Sequence, residues 1–178
     1  MVPVVQFDYA FPGKKGDRRG QGTGGKFPML VATDRRGGDV LTCYCRQKGS
    51  ADKYAVSALE NFLNELGHKK VILKSDGESS IKALKEAVKN SVSFNLGVEV
   101  SPVGDSRANG EIERAIKTIQ GQIRTLQSAL DEHYRTEFNE DHTLLPWLVA
   151  YAASLTSKFT IGENCKTAHE RARGRKFS

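Results

Sequence analysis

The chain has 178 residues, with 27 Lys and Arg against 21 Asp and Glu, and therefore a formal net charge of +6. This length fits one domain spanning residues 1–178, because two domains would each have a small core. Hydrophobic residues make up 38% and charged residues 27%, a composition that excludes extensive disorder. The longest apolar run, 144–155, is interrupted by Pro146 and is too short to span a bilayer. No signal peptide is visible, and the three cysteines have no metal-binding spacing, so we expect an intracellular protein with reduced thiols that is not secreted.

The positive charge is concentrated in two segments of the chain. Residues 12–26 (PGKKGDRRGQGTGGK) carry five basic side chains and one acid, and residues 171–176 (RARGRK) carry four basic side chains and no acid. Each segment is therefore +4, and the remaining chain is −2. Such segments are often solvated surface, but they also favour a polyanionic partner such as DNA.

The first part of the sequence predicts three strands in succession, which look like an antiparallel meander. Val5, Phe7 and Tyr9 fall on one face of a predicted strand, and Asp8 falls on the other. Two further strands are predicted at 27–33 and 40–44, joined by a turn that contains two consecutive glycines.

The period then changes to alternating helices and strands. A helix is predicted at about 55–66, with Ser50 as N-cap and Gly67 as stop, and a buried strand follows at 71–73. A second helix is predicted at 81–88, capped by Ser79 or Ser80, and a strand at 96–100. Two longer helices are predicted at about 110–132 and 144–157. Strands followed by βαβ alternation predict an α/β fold with a five-stranded mixed sheet and helices on both faces.

Three acidic residues have positions that suggest a metal site. Asp8 lies among apolar strand residues, Asp76 follows the buried strand, and Glu113 lies in the first turns of the long helix. Ligands collect beyond the carboxyl ends of strands in open α/β sheets. If the strands of Asp8 and Asp76 are neighbours, their carboxylates converge, and Mg²⁺ or Mn²⁺ would relieve their repulsion. Taken singly, each acid is more often a salt-bridged or capping residue.

The helix predicted at about 110–132 carries a row of polar residues beside its apolar row. Glu113, Lys117, Gln120 and Arg124 lie about 100° from the isoleucine stripe. Glu113 could then face a site while Lys117 and Arg124 follow a phosphate backbone, whereas Glu111 projects elsewhere. The alternative is a surface Glu–Lys pair at i,i+4 spacing.

Three short motifs together resemble the catalytic core of retroviral and LTR-retrotransposon integrases, of the DDE superfamily. They are residues 4–8 (VVQFD), 74–77 (KSDG) and 106–114 (SRANGEIER), and 36 residues separate Asp76 from Glu113. The resemblance continues through 147–155 and 166–175, and so covers nearly the whole chain.

The resemblance implies an RNase H-like fold and a two-metal phosphoryl-transfer site. By it, Asp8, Asp76 and Glu113 are catalytic residues and ligands of two Mg²⁺ or Mn²⁺ ions. The implied reactions are hydrolytic processing of a DNA 3′ end and its transfer into target DNA. From the resemblance, the helix stripe and the basic loop, the residues expected to bind DNA are Asn109, Arg114, Lys117, Gln120, Arg124, Lys14, Lys15, Arg18 and Arg19.

The sequence departs from the family in lacking its N-terminal zinc module and its C-terminal DNA-binding domain. We therefore expect the chain to be one part of a polyprotein. The resemblance further implies a homodimer or higher multimer that acts on chromosomal DNA in the nucleus. Two alternatives remain open: an RNase H-type nuclease, for which Glu60 would be an additional ligand, and a catalytically inactive DNA-binding module.

Overall fold

The computed structural model describes residues 2–12, 27–100, 106–138, 142–162 and 164–178. Its elements are β1 (Val4–Ala10), β2 (Met29–Asp34), β3 (Val40–Tyr44), α1 (Lys53–Glu65), β4 (Lys70–Ser75), α2 (Ser79–Ser91), β5 (Asn95–Val100), α3 (Ser106–Tyr134), α4 (Leu145–Phe159) and α5 (Ala168–Arg173). Over these ranges no helix is both long enough and apolar enough to cross a membrane. The basic-loop residues Lys14, Lys15, Arg18 and Arg19 lie outside the described residues.

The five strands form one mixed sheet in the order β3-β2-β1-β4-β5. Strands β1, β2 and β3 pair antiparallel, whereas β4 runs parallel to both β1 and β5. Parallel neighbours need a crossover connection, which here consists of α1 before β4 and α2 before β5. The sequence prediction of an α/β fold with a five-stranded mixed sheet is confirmed, and β1 lies at its centre.

Each face of the sheet packs against its own pair of helices. On one face Val5, Phe7 and Tyr9 of β1 join a core that includes Leu59 of α1 and Leu84 of α2. On the other face a second core joins the sheet residues Met29 and Val31 to α3 and α4 through Ile112, Ile119, Ile123, Leu145 and Val149. Because side chains alternate along a strand, Asp8 lies on the second face, toward α3.

The helix ends differ from the sequence prediction in three places. The N-cap of α1 is Asp52 rather than Ser50, because the Asp52 carboxylate accepts hydrogen bonds from the N–H groups of both Tyr54 and Ala55. Helix α2 begins at Ser79 with Glu78 as N-cap, so neither predicted serine caps it. Helix α3 begins at Ser106, four residues before its predicted start. Gly67 does follow α1, at a φ of 67° that disfavours other residues.

Candidate functional site

Asp8 and Asp76 meet where two adjacent parallel strands end. The register of β1 and β4 pairs Val4 with Ile72 and Gln6 with Lys74, an offset of 68 residues. The same offset places Asp8 opposite Asp76, one residue beyond the end of β4. Neighbouring strands lie about 4.8 Å apart, so the two carboxylates share one edge of the sheet. The condition that the sequence analysis set for their convergence, that the two strands be neighbours, is therefore met.

The carboxyl group of Asp8 is in an environment that disfavours its charge. Burial raises its pKa from 3.8 to about 6, although its carboxylate accepts a 2.7 Å hydrogen bond from the N–H of Tyr9, which acts in the opposite direction. The charges that act on it are the carboxylates of Asp76 and Glu78, which raise the pKa, and the ammonium of Lys48, which lowers it. A half-buried carboxylate that faces another and lacks enough positive charge is suited to bind a cation.

Asp76 is held by the turn between β4 and α2. Its carboxylate accepts a 3.1 Å hydrogen bond from the N–H of Glu78, and its carbonyl oxygen accepts one of 2.9 Å from the Ser75 hydroxyl. Since Ser75 is buried and ends β4, the backbone that carries Asp76 is fixed to the sheet. The sheet and the turn that follows β4 thus fix the backbone that carries Asp76.

An ion pair lies beside the two acids and was not predicted from the sequence. The Lys48 ammonium is 3.1 Å and 3.2 Å from the two carboxylate oxygens of Glu78. The loop that carries Lys48 is attached to β1, because the N–H of Gly49 donates a 2.9 Å hydrogen bond to the buried Tyr9 hydroxyl. Lys48 and Glu78 are 30 residues apart, a separation at which neither period nor motif signals contact.

A buried lysine was also missed. Lys85 on α2 has a relative exposure of 1%, donates a 2.6 Å hydrogen bond to the carbonyl oxygen of Glu99, and lies 5.8 Å from the centroid of the Phe7 ring. Burial lowers its pKa to about 8. The sequence did contain a signal: Lys85 is four residues after Ile81, on the apolar stripe of α2.

The expected DNA-contacting residues of α3 fall into three groups. Arg114 and Lys117 are exposed, and Asn109 and Arg124 are half-buried. Gln120 is buried, at 3% exposure, and its amide donates a 2.7 Å hydrogen bond to the carbonyl oxygen of Phe11. The expectation that the Gln120 side chain contacts DNA is wrong for this structure, because that group instead attaches α3 to the end of β1.

The three predicted metal ligands are not all brought together. Among the described residues, no group of three or more His, Cys, Asp or Glu side chains is close enough to hold a metal ion. Asp8 and Asp76 adjoin, whereas Glu113 is exposed on α3. Two of the three residues that we expected to converge are therefore brought together, and Glu113 is not. Glu111 is also turned away, 3.1 Å from Arg35.

The donor set nevertheless fits a hard divalent cation. Asp8 and Asp76 offer carboxylate oxygens, the ligands that Mg²⁺ takes while it keeps several of its waters. Mg²⁺ sites are commonly built from one or two carboxylates together with substrate phosphates. The pair is thus sufficient to begin such a site, and Glu113 would add a third oxygen ligand.

No protein-family model matches the chain, and no curated protein sequence is similar to it. Solved structures do resemble its fold. The HTLV-2 integrase catalytic core in complex with magnesium, in its trimeric form, has a TM-score of 0.67 at 13% identity, over 96% of this chain and 95% of that one. Its dimeric form has a TM-score of 0.66 at 13% identity, over 97% and 98%. The BIV integrase core has a TM-score of 0.61 at 14% identity, over 94% and 91%.

These similarities extend along almost the whole chain, and the fold is that of retroviral integrase catalytic cores. The RNase H-like fold expected from the sequence motifs is confirmed. At identities of 13% and 14% the likeness concerns the fold, and the chemistry has to be argued from the site.

Proposed function

We propose that this chain is the catalytic core of a metal-dependent DNA integrase or transposase, which trims a DNA 3′ end and joins it to target DNA. The single observation that carries the proposal is the convergence of Asp8 and Asp76 at the ends of two parallel strands. The integrase-core fold supports it, because the same sheet edge is where ligands collect in α/β proteins.

In this proposal Asp8, Asp76 and Glu113 hold two Mg²⁺ or Mn²⁺ ions. When bound, such ions activate the attacking oxygen and stabilise the leaving oxygen of an in-line displacement. The protein supplies ligands whose backbone is fixed by the sheet, so little reorganisation is needed at Asp8 and Asp76. A bound cation would also offset the repulsion that a third carboxylate meets beside two others.

The proposed reactions balance without another reactant. In end processing, water attacks a phosphodiester of the element DNA, the bond from phosphorus to the 3′ oxygen breaks, and that oxygen leaves with a proton as a 3′-OH. In strand transfer, the new 3′-OH attacks a target phosphodiester, the bond from that phosphorus to the target 3′ oxygen breaks, and the oxygen leaves with the proton as a 3′-OH. One phosphodiester thereby replaces another. Both steps are phosphoryl transfers at one site, and neither requires an oxidant or a nucleotide.

DNA would lie along the exposed side of α3 and over the acid pair. Arg114 and Lys117 are exposed there, Asn109 and Arg124 are partly exposed, and Lys14, Lys15, Arg18 and Arg19 add charge from the basic loop. Contacts of this kind position a phosphate backbone and carry no sequence information by themselves. We therefore assign these residues to holding DNA in register with the acids.

The proposed protein acts as a dimer or higher multimer in the nucleus. Similar integrase cores have been solved in dimeric and trimeric forms. On this chain Trp147 and Tyr151 of α4 are exposed and stack with ring centroids 4.6 Å apart, an apolar surface suited to contact between subunits.

The test is cleavage of a branched DNA substrate in the presence of Mn²⁺. The wild-type chain should nick the substrate, and Asp76→Asn should reduce the cleavage rate more than about 100-fold. Replacing a residue that only supports a metal ligand reduces activity by at most about 100-fold. Glu86→Gln is the matched control, because Glu86 is an exposed acid on α2 that should leave the rate unchanged.

Equal rates for wild type and Asp76→Asn would contradict the proposed site. Cleavage confined to the RNA strand of an RNA–DNA hybrid would instead indicate the RNase H-type alternative. DNA binding that weakens steeply with salt, without cleavage in Mn²⁺ or Mg²⁺, would indicate a binding module.

A further inference from the structure

Lys48 lies at the end of the sheet where the acid pair is found, and it has no part in the proposed reaction so far. The loop that carries it is fixed at the next residue. The N–H of Gly49 donates a 2.9 Å hydrogen bond to the Tyr9 hydroxyl, and its φ of 95° is one that residues with a side chain rarely adopt. The Lys48 ammonium lies 5.7 Å from the centroid of the Tyr9 ring, and Tyr9 follows Asp8 on β1. The fold thus holds this lysine beside the end of β1.

Glu78 joins Lys48 to the turn that carries Asp76. The Lys48 ammonium is 3.1 Å and 3.2 Å from the two carboxylate oxygens of Glu78, and the N–H of Glu78 donates a 3.1 Å hydrogen bond to the Asp76 carboxylate. The loop also packs against the first turn of α2, since a Cβ at Gly49 would lie 3.5 Å from the carbonyl oxygen of Ser80. One residue therefore separates the ammonium group from the Asp76 carboxylate.

The carboxylate of Glu78 has other sources of stabilisation besides Lys48. It accepts a 2.8 Å hydrogen bond from the Ser80 hydroxyl, and it lies at the N-terminus of α2, where the helix dipole favours negative charge. The side chains of Lys48 and Glu78 are 34% and 40% exposed, and exposed ion pairs contribute little to stability. A phosphate oxygen can therefore replace Glu78 as the acceptor at little cost.

Lys48 and the basic residues of α3 border the acid pair from opposite faces of the sheet. Tyr9, whose ring Lys48 contacts, belongs to the core shared with α1 and α2, whereas α3 packs on the other face. Phosphates recur about every 3.4 Å along each strand of a DNA duplex, so a strand that reacts at the acid pair carries further phosphates past it. Two of the three ammonium donors suffice for Glu78, and the third can reach such a phosphate.

We propose that Lys48 binds a backbone phosphate of the DNA next to the reacting phosphate, and that this phosphate replaces Glu78 as its partner. The inference rests on the proposed function, cleavage and joining of DNA at the acid pair. Lys48 is in this sense a positioning residue, because its contact holds the strand in register with Asp8 and Asp76 and reads no sequence. In the absence of DNA, Glu78 keeps the ammonium group at this position.

The experiment measures binding of a branched DNA by fluorescence anisotropy over a series of salt concentrations. A fixed concentration of Ca²⁺ compensates the acid pair, and gel analysis restricts the data to uncut DNA. Lys48→Gln should weaken binding about 3- to 10-fold at about 0.1 M salt and reduce the slope of log affinity against log salt by about 1, because one phosphate contact is lost. Lys89→Gln, which removes an exposed charge near the other end of α2, is the matched control and should change neither quantity.

A double variant distinguishes a phosphate contact from mere screening of Glu78. Glu78→Gln alone should tighten DNA binding, because it frees Lys48 and removes a negative charge. Lys48→Gln combined with Glu78→Gln has the same net charge as the wild-type pair, so a lysine that only screens Glu78 would give it the wild-type slope. If Lys48 binds a phosphate, the double variant keeps the slope that is lower by about 1.

An unchanged salt slope in Lys48→Gln, or a wild-type slope in the double variant, would overturn the role of Lys48 and leave the proposed function standing. Failure of the wild-type chain to bind DNA would instead contradict the proposed function, and the role of Lys48 with it. The two failures are therefore distinguishable.

Discussion

Ionisation of the Asp8 carboxyl group is less favourable in the folded chain than in the unfolded chain. Burial raises its pKa from 3.8 to about 6, and Asp76 and Glu78 add to that rise. Because the protonated form is favoured, the contribution of Asp8 to stability is largest below pH 3.8 and is lost as the pH rises to 6. Above pH 6 the cost of the charge is constant, at most about 3 kcal/mol for a shift of this size. A bound cation would offset that cost, which is why stability and metal binding are linked at this residue.

Replacing Asp8 by Asn should therefore stabilise the metal-free chain near neutral pH. Asn keeps the acceptor for the N–H of Tyr9 but carries no charge. The free energy of unfolding in urea, with EDTA present, should rise by about 1–3 kcal/mol at pH 7.5 and by much less at pH 4. Glu86→Gln should show no such pH-dependent gain, since Glu86 is exposed. A destabilised Asp8→Asn at pH 7.5, or the same gain at both pH values, would contradict this account.

At the scale of elements, periodicity predicted most of the fold because apolar residues recur wherever a helix or strand buries one face. It did not predict α5, whose six residues are too few and too polar to show a period, and which is defined instead by a capping box at Thr167 and a left-handed Gly174. It also placed the cap of α1 wrongly, because a cap depends on where the backbone turns. Asp52 accepts a further hydrogen bond of 2.7 Å from the N–H of Arg46, in the preceding loop.

This difference makes the cap of α1 testable. Asp52→Ala removes three backbone hydrogen bonds and should lower the free energy of unfolding by about 2 kcal/mol or somewhat more, measured by urea denaturation. Ser50→Ala, at the position that the sequence suggested, should change it by less than about 0.5 kcal/mol. A larger loss from Ser50→Ala than from Asp52→Ala would show that the structure assigns the wrong cap.

In the candidate site, too, sequence periodicity predicted some residues, whereas others are placed by tertiary contacts that no sequence pattern shows. The places of Asp8 within a strand and of Asp76 after one were predictable from periodicity, whereas strand order and register, which bring the two together, come from the structure. The sequence assigned no role to Lys48 or Lys85. Lys48 lies in the loop that follows β3 and contacts β1, and Lys85 is a charged residue within the apolar stripe of α2. Glu113 is the reverse case, because a motif predicted it as a ligand whereas the structure shows it exposed on α3.

At the scale of the whole molecule, one of the positive charges that contribute to the net charge of +6 makes contacts within the fold. The basic end, 171–176, is not simply a solvated appendage. Arg171 belongs to α5, and its guanidinium group donates hydrogen bonds of 2.7 Å to the carbonyl oxygens of Gly37 and Lys166, so this charge attaches α5 to the turn after β2. Less of the positive charge is therefore free for DNA, and we assign that contact to α3 and the basic loop.

The central claim is that Asp8 and Asp76 form a divalent-cation site that Glu113 completes. It is tested most directly by anomalous diffraction from crystals of this chain soaked in Mn²⁺. We expect an anomalous peak about 2.1 Å from carboxylate oxygens of both Asp8 and Asp76, with the Glu113 carboxylate drawn to the same peak. A structure at saturating Mn²⁺ with no peak between Asp8 and Asp76 would contradict it.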